Sequence, residues 1–474
     1  MKRRSFTMSL LPVLLMPVMG LGPSAQEDVD GPRPNVVLIM LDDVGWNDLG
    51  FTGNAHHRTP NIDRLAGDGV VFSTTYANAP NCAPSRACLM TGQYSPRHGV
   101  YTVGTSKRGR SHNRRIIPVE NRRSLEPSTA QLPIMLRDAG YRTVHVGKWH
   151  LGDDPLEQGF QVNIGGNKAG HPKSYFSPYT NGNLTDGTDG EYLTDRLTTE
   201  AIRSISEGDG PVLLYLSFYS AHTPLQPRND ILESVTKVRS DASPVHAKYQ
   251  AMIECIDQNV GRVLDALEEQ DALDDTIIIL TSDNGALGAT SSLDPMAGSK
   301  GMLYEGGIRV PMFVYWKDRI NGSRTVDEPV MHLDLVPTIA ELCRIDVESR
   351  SLDGRSLAPL LGSKQELGER ELHWHFPAYL EASAKKGTWR ATPCGVIRKG
   401  RYKLIESFED GSMQLFDLQV DPGEQRNLAG TMPEVRQDLL DRMNRWRDRV
   451  GAEVPRQPNP EYVDPNAGAK ESID

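Results

Sequence analysis

The sequence predicts an α/β fold: a large, mainly parallel sheet flanked by helices, followed by a small antiparallel sheet and a final helix. Short runs of Val, Ile and Leu that are apolar throughout predict strands buried on both faces, as parallel strands are. Helical segments separate these runs, which is the order of a parallel α/β sheet. The chain of 474 residues, 38% of them hydrophobic, is long enough for a large domain and a smaller one.

Residues 1–26 predict a signal peptide that is cleaved on export. Three basic residues at positions 2–4 precede an apolar run that Pro12 and Pro17 interrupt, and small residues lead to Ala25. The apolar run is too short for a typical membrane anchor, and no cysteine follows it that could carry a lipid. We therefore expect an exported protein, periplasmic or secreted, with no membrane anchor.

Four of the apolar runs end abruptly in a polar cluster. In chain order they are "NVVLIMLDDVG" with Asp42 and Asp43, "YRTVHVGKWHLG" with Lys148 and His150, "PVLLYLSFYSAHTP" with His222, and "DTIIILTSDNG" with Asp283 and Asn284. Ligands of open α/β sheets bind beyond the carboxyl ends of the strands, where each of these clusters is predicted to lie. We therefore expect the four clusters to converge on one rim of the sheet.

The helical segments and the C-terminal region complete the predicted organisation. The helical segments are "TPNIDRLAGDG", "TAQLPIMLRDAG", "EYLTDRLTTEAIRSIS" and "HAKYQAMIECIDQNVGRVLDALEEQ". After residue 366 come short segments typical of antiparallel strands, and then a helix through "PEVRQDLLDRMNRWRDRV". We place the large domain at residues 34–366, the small C-terminal subdomain at 367–452, and a loose tail rich in Pro and charge at 453–474.

The stretch "NCAPSRACLMTG", residues 81–92, places Cys82 at the start of a predicted helix. Pro84 suits a first helical turn, and residues 86–90 are good helix formers. Cys82 and Cys88 should not pair, because six residues of helix rise about 9 Å and a disulfide spans roughly 7 Å between α-carbons. A helix N-terminus favours negative charge, and Arg86 lies one turn on. Cys82 is therefore suited to an activated nucleophile or an anion site.

The five cysteines are an odd number, so in an oxidising compartment one is left for an intermolecular bond, a free thiol or other chemistry. Cys82 is the candidate for that one. The pairing of the other four stays open at this point: Cys88, Cys255, Cys343 and Cys394.

The formal net charge is −10, and it becomes −13 when the three basic residues of the signal peptide are removed. A net acidic protein is a poor general binder of polyanions, so we expect no nucleic-acid partner and a local basic site for any anionic substrate. The basic run at residues 106–123 is either a binding surface for a polyanionic glycan or a solvated loop. Residues 165–179, rich in Gly and aromatics, either line a sugar subsite or form an ordinary packed loop.

The converging side chains predict the kind of ion and the kind of reaction. Carboxylate and amide oxygens favour a hard cation, Ca²⁺ or Mg²⁺, over zinc. Such an ion would lie among the cationic side chains of Arg86, Lys148 and Lys300. A divalent ion with Lys and Arg suits a tetrahedral oxyanion, because these groups neutralise charge on the transferred group as it reacts. The rim therefore predicts phosphoryl or sulfuryl chemistry.

The motif "CAPSR", followed by "TGQ", resembles the sulfatase signature of the alkaline phosphatase superfamily, in which a maturation enzyme oxidises the motif cysteine to formylglycine. Further segments are similar to the family's other blocks, in the expected order: "LDDVGWNDLG", "TPNIDRLA", "GKWHLG", "AHTP", "SDNG" and "GSKGMLYEGGIRVP". The resemblance covers residues 34–360 and implies an alkaline phosphatase-like fold. Gln93 is a departure, since an arginine commonly follows the "TG".

The resemblance implies a set of ligands for one Ca²⁺ and a role for each remaining polar residue. The ion would be bound by the modified Cys82 side chain together with Asp42, Asp43, Asp283 and Asn284. Arg86 would orient the modified side chain, whose hydrate attacks sulfur, while Lys148 and Lys300 hold the sulfate oxygens. His222 would protonate the leaving oxygen, and His150 would accept the proton that allows sulfate to be expelled.

Three functions follow from these residues and from the resemblance. The first is an exported sulfatase that hydrolyses sulfate esters of glycans or their oligosaccharides; its partners would be the sulfated carbohydrate and the maturation enzyme. The second is a phosphodiester or phosphonate monoester hydrolase, because relatives with the same cysteine motif act on phosphorus. The third is a non-catalytic sulfoglycan-binding relative, which is disfavoured because no catalytic position is missing.

Overall fold

The computed structural model describes residues 32–362, 366–383 and 388–464. The described residues from Arg33 onward belong to one compact unit. The predicted signal peptide and residues 465–474 of the predicted tail lie outside the described residues, so those two predictions are not addressed by the structure. The division at residue 366 between a large domain and a small subdomain likewise stays a prediction.

The described residues contain the strands of a large, mainly parallel sheet and of a C-terminal antiparallel sheet, together with shorter strands outside these two sheets. In chain order the strands are β1 (Asn35–Leu41), β2 (Val70–Phe72), β3 (Thr75–Tyr76), β4 (Arg142–Gly147), β5 (Val162–Ile164), β6 (Val212–Ser217), β7 (Thr276–Ser282), β8 (Arg309–Val310), β9 (Met312–Tyr315), β10 (Arg324–Val326), β11 (Val330–Met331), β12 (Glu371–Phe376), β13 (Leu380–Ser383), β14 (Thr388–Ala391), β15 (Cys394–Lys399), β16 (Tyr402–Ser407) and β17 (Met413–Asp417).

The helices of the described residues alternate with these strands up to β11. They are α1 (Pro60–Asp68), α2 (Cys82–Thr91), α3 (Ser95–His98), α4 (Gln131–Asp138), α5 (Leu193–Ser206), α6 (Asn229–Val238), α7 (Pro244–Glu269), α8 (Glu305–Ile308), α9 (Leu335–Leu342), α10 (Ala358–Gly362) and α11 (Pro433–Val450). Proline occupies the first turn of α1, α7 and α11, where its missing N–H costs nothing. Among the described residues, no helix is both long enough and apolar enough to cross a membrane.

The large sheet has eight strands in the order β10-β2-β9-β7-β1-β6-β4-β5. Its four central strands, β7, β1, β6 and β4, are parallel neighbours, and β9 is the strand that runs antiparallel to both of its neighbours. Alternate residues of β1 pack into two cores: Val37 and Ile39 lie with α5 and α7 on one face, and Val36 and Leu38 with α2 and α4 on the other. The predicted mainly parallel sheet flanked by helices is therefore confirmed.

The C-terminal region forms an antiparallel sheet in the order β12-β15-β16-β17, and α11 packs on it. This part of the fold prediction is also confirmed. Lys403 of β16 is buried and forms ion pairs with Glu305 Oε1 at 3.0 Å and Glu424 Oε1 at 2.8 Å. Glu305 begins α8, so the buried Lys403 joins the small sheet to the segment that follows β7.

The predicted loose tail is wrong for its first part. Ile117 N–H donates to Gln457 O at 2.9 Å, Asn459 N–H donates to Arg115 O at 2.9 Å, and Val463 N–H donates to His112 O at 2.9 Å. Residues 457–463 therefore lie along residues 112–117 with paired backbone groups. Proline and charge predict a lack of packed core, but they do not exclude pairing with another surface segment.

Candidate active site

The four polar clusters predicted to converge do so. Leu41 of β1 is level with Ser282 of β7, and Ser217 of β6 is level with both Met40 and Gly147 of the strands beside it. The residues that follow these strand ends therefore share one rim. Two of them have left-handed backbones, Asp43 with φ 59° and His150 with φ 64°, a conformation that costs a non-glycine residue on the order of 1 kcal/mol or more.

Cys82 lies at the start of α2, as predicted, and its side chain points at the rim. Its Sγ is 3.8 Å from Asp42 Oδ1, and the residue is buried. Burial first, and then the charge of Asp283, raises the pKa of the Cys82 thiol to about 12 against the effect of Lys148 and Lys300. The thiol is therefore protonated at neutral pH. All five cysteines are free, so the prediction that Cys82 and Cys88 do not pair is confirmed.

Asp42 and Lys148 form a fully buried ion pair at 2.6 Å. Burial is the main cause that raises the pKa of Asp42 to about 8; the negative charges of Asp283 and Asp43 also raise it, and Lys148 opposes them. A further positive charge beside Asp42 would relieve this carboxylate repulsion.

Asp43 accepts hydrogen bonds from two directions. Lys300 Nζ donates to its Oδ2 at 2.7 Å, and Asn284 Nδ2 donates to its Oδ1 at 2.8 Å. Burial alone would raise the pKa of Asp43, but the charges of Lys300, His222 and Lys148 hold it below its ordinary value. Asp43 is therefore ionised at neutral pH.

Asp283 and Arg86 form a second buried ion pair. Arg86 Nε donates to Asp283 Oδ2 at 2.9 Å, and its Nη1 donates to Ser217 Oγ and to Lys148 O. Although burial opposes it, the charges of Arg86 and Lys148 lower the pKa of Asp283. Arg86 thus ties α2 to the ends of three strands.

The two predicted histidines differ in environment. His222 Nδ1 lies 2.7 Å from Thr223 O, and its Nε2 faces Asp43 Oδ2 at 3.7 Å. Burial, together with the charges of Lys300 and Lys148, lowers the pKa of His222 to about 4 against the effect of Asp43. His150 is half-buried, its Nδ1 is buried and makes no hydrogen bond, and desolvation together with the charge of Lys148 holds its pKa well below the ordinary value.

His171 is a residue of this site that the sequence did not single out. Its ring stacks on that of His222, with centroids 5.8 Å apart and planes within 12°, and its side chain is exposed. The preceding Gly170 lies against His150: a Cβ at position 170 would come within 2.5 Å of the His150 ring. The loop of residues 165–179 thus contacts both histidines. Its Gly and aromatic content signalled a candidate lining, but nothing in the pattern distinguished His171.

The donor set suits a hard cation. One ligand atom from each of Asp42, Asp43, Cys82 and His222 lies within 4.8 Å of the others. Asn284 Oδ1 is buried and has no hydrogen-bond partner, so an acceptor at this rim is left for a ligand. Asp283 is outside the group of four, but its Oδ1 reaches the N–H of Asp43 at 3.3 Å. Carboxylate and amide oxygens predominate, which favours Ca²⁺ or Mg²⁺.

The basic run at residues 106–123 is a surface segment with local partners. Arg114 donates to the carbonyls of residues 107–109, and Arg122 pairs with Glu126 at 2.7 Å. These contacts are typical of a solvated loop. Beside His150 there is also a cavity of about 470 Å³, whose other walls include Arg123, Lys168 and Asp154.

Comparison with known proteins identifies similar chains. A model of the sulfatase family matches residues 34–345, and a model of the C-terminal region of N-sulphoglucosamine sulphohydrolase matches residues 298–449. A sulfatase of Formosa agariphila is 32% identical, with 92% of this chain and 91% of the relative covered. Human N-acetylgalactosamine-6-sulfatase is 31% identical, with 69% and 66% covered. The solved structure of Ps i-CgsB in complex with k-i-k-neocarrahexaose superposes with a TM-score of 0.72 at 26% identity, covering 92% of this chain and 96% of the other.

Proposed function

Since this chain belongs to the sulfatase family, and is therefore a hydrolase of sulfuric esters, we propose that its substrates are sulfated glycans or their oligosaccharides. The observation that carries the proposal is the rim itself. A cysteine in the family motif, two aspartates and two lysines meet where the parallel strands end. Two relatives support the carbohydrate class, one named for N-acetylgalactosamine-6-sulfate and one solved with neocarrahexaose.

Cys82 is proposed to be converted to formylglycine by a maturation enzyme. The unmodified thiol is buried beside carboxylates and has a pKa of about 12, so it is a poor nucleophile at neutral pH. The hydrated aldehyde would supply a hydroxyl as the nucleophile. The position suits this chemistry, because the free amides of the α2 N-terminus face the same point and favour developing negative charge.

One Ca²⁺ is proposed at the rim. The residues that would hold it are Asp42, Asp43, Asp283 and Asn284, together with the modified Cys82 side chain. The ion would supply positive charge to the sulfate oxygens as the ester bond breaks. The free Asn284 Oδ1 and the raised pKa of Asp42 support a cation among these side chains.

The two lysines are proposed to neutralise charge on the sulfate group, and Arg86 is proposed to fix the position of residue 82. Lys148 binds Asp42 and lies 3.8 Å from Asp283, and Lys300 binds Asp43; each ammonium group has three N–H donors, so donors are left for the sulfate oxygens. Arg86 does not need to touch substrate: its ion pair with Asp283 and its bond to Ser217 fix α2, and with it residue 82, against the sheet.

The histidines are proposed to transfer protons. With Nδ1 bonded to Thr223 O, Nε2 of His222 faces the rim. A bound anionic sulfate ester would raise the pKa of this ring and favour the imidazolium, whose Nε2–H would protonate the departing sugar oxygen. His150 has a free Nδ1 in a buried environment that keeps the ring neutral, so it is suited to accept a proton when sulfate is released. We propose an exported location for the protein, as the N-terminal sequence predicts.

A panel of substrates tests the proposal. Purified protein would be assayed on defined sulfated oligosaccharides, on nitrophenyl sulfate, and on a phosphodiester and a phosphonate monoester, with Cys82→Ala as the control. Release of inorganic sulfate from a saccharide, absent in the control, is the expected result. Faster turnover of the phosphorus esters than of every sulfate ester would instead support the second function, and no turnover of any substrate by mature protein would support the third.

A further inference from the structure

A second charged cavity lies away from the candidate active site. Its volume is about 770 Å³, and we call it the arginine cavity after its six basic side chains: Arg97, Arg355, Arg370, Lys399, Arg442 and Arg449. Tyr94 on its wall follows the C-terminal end of α2, whereas Cys82 begins that helix. Ten residues of helix rise about 15 Å, so the cavity and the rim are separate sites.

The acids of the arginine cavity are already paired. Asp353 binds Arg97 at 2.8 Å, Glu369 binds Lys399 at 2.9 Å and Glu371 binds Arg442 at 2.7 Å. These are the acidic residues among the lining side chains, and each pairs with one arginine or lysine. Arg370 is held by Asp334 at 2.8 Å in a buried pair.

Two guanidinium groups of the arginine cavity have no acidic partner among the described residues. In the part of the chain that the structure describes, the side chains of Arg355 and Arg449 make no hydrogen bond and no ion pair, and both residues are exposed. In a protein whose formal net charge is −10, this is a local excess of positive charge. Guanidinium groups bind oxyanions with two parallel N–H donors. Arg355 and Arg449, which have no acidic partner in the described ranges, therefore form a candidate anion site.

His373 adds a buried donor to the same wall. Its ring is buried, stacks on Trp446 with centroids 4.5 Å apart, and makes no hydrogen bond through either nitrogen, although Nε2 is 3.4 Å from Glu371 Oε2. A neutral imidazole carries one N–H; its nearest acceptor is the Glu371 carboxylate at 3.4 Å, which also binds Arg442, so this N–H is weakly bonded. A ligand oxygen in the cavity would satisfy it.

We propose that the arginine cavity is a non-catalytic binding site for the sulfate groups of an anionic glycan chain, held by Arg355 and Arg449 with a donor from His373. The chemistry recognised is a tetrahedral oxyanion. Free sulfate has the same chemistry, but the large volume, with further lysine and arginine side chains around it, has room for the sugar that carries the group. The site takes part in no step of hydrolysis, so it goes beyond the proposed function and is tested without turnover.

Binding to inactive protein tests this site. The Cys82→Ala protein would be titrated by calorimetry with a chondroitin 6-sulfate tetrasaccharide, with its desulfated counterpart, and with inorganic sulfate. The same titrations would be made after adding Arg355→Gln and Arg449→Gln. We expect the two substitutions to remove one class of tetrasaccharide sites or to weaken it at least tenfold, and we expect the desulfated sugar not to bind there.

The matched control exchanges two other exposed arginines, Arg319→Gln and Arg445→Gln, which change the net charge equally but do not line the cavity. Equal weakening by the control pair would overturn the proposal, as would inorganic sulfate binding as tightly as the tetrasaccharide. A second measurement needs no variant at the cavity: the tetrasaccharide should protect residues 351–357 and α11 from hydrogen exchange. Unchanged exchange in both segments would likewise overturn it.

Discussion

Replacing His222 by alanine is expected to slow hydrolysis of sugar sulfates much more than that of aryl sulfates. In the structure its Nδ1 is held by Thr223 O at 2.7 Å, so Nε2 is the atom that faces the rim. The ring of His171 stacks on that of His222 with a centroid separation of 5.8 Å, and we expect it not to replace the lost acid. A sugar alcohol is a poor leaving group and needs the proton, whereas nitrophenolate departs without one.

The size of the effect follows from the loss of one general acid with no substitute. General acid catalysis contributes about 10²- to 10⁴-fold, or about 2.7 to 5.4 kcal/mol of the barrier. We therefore expect kcat/KM on a sugar sulfate to fall at least 10²-fold in His222→Ala, and kcat/KM on nitrophenyl sulfate to fall by less than about tenfold.

The assay compares initial rates of sulfate release from the two substrates under the same conditions, with His171→Ala as the matched control. That variant removes the stacked ring but keeps the proposed acid, so its losses should be similar on both substrates. Equal losses on the two substrates in His222→Ala would refute the assignment of His222 as the acid, even though the family assignment would stand.

The remaining predictions concern the modification, the ion and the buried histidines. Mass spectrometry of active protein should find an aldehyde in place of the Cys82 thiol, and Cys82→Ala should abolish turnover while leaving the circular dichroism spectrum unchanged; unmodified cysteine in fully active protein would contradict the mechanism. Chelation should remove activity and lower the melting temperature, and Ca²⁺ should restore both better than Zn²⁺, because the donors are mainly oxygen; stoichiometric zinc in native protein would contradict this. Burial lowers the pKa of His98, His145 and His375 to about 3. At a pH between about 3 and the ordinary histidine pKa, these rings bind protons in the unfolded chain but not in the folded chain. The free energy of unfolding therefore decreases as the pH falls through this range. In denaturant titrations with chelator present, we expect a loss at pH 5 of up to about 2 kcal/mol per ring relative to pH 7, and a stability that stays constant or rises would contradict it.

The large sheet could be predicted because its strands are buried on both faces. The run from Val36 to Leu41 has no alternation, and the structure packs its two faces against two layers of helices. The site could be predicted because the parallel strands β4, β6, β1 and β7 end in register with one another. The residues that follow these ends, among them Asp42, Lys148 and Asp283, therefore lie at one rim. The regular geometry of parallel strands thus allowed us to predict that residues more than 200 positions apart in the sequence lie close together.

What could not be predicted depends on the paths of irregular segments. His171 reaches His222, 51 residues away, because the loop of residues 165–179 folds back over the rim, and no periodicity encodes that path. The pairing of residues 457–463 with residues 112–117 has the same origin, and composition alone predicted the opposite. The ion pairs of Lys148 with Asp42 and of Lys300 with Asp43 depend on side-chain reach, which residue type does not specify.

Lys403 limits how this fold can recombine during evolution. Its ammonium group satisfies the carboxylates of Glu305 and Glu424 in a site without water exposure, and these three residues come from both sides of the predicted domain boundary at residue 366. A crossover at that boundary with a relative lacking the lysine would leave a buried carboxylate without its cation, at a cost of about 3 to 5 kcal/mol. The C-terminal sheet is therefore expected to be inherited together with the segment that carries Lys300, and hybrids that exchange it should fold only when residues 305, 403 and 424 are exchanged as a set.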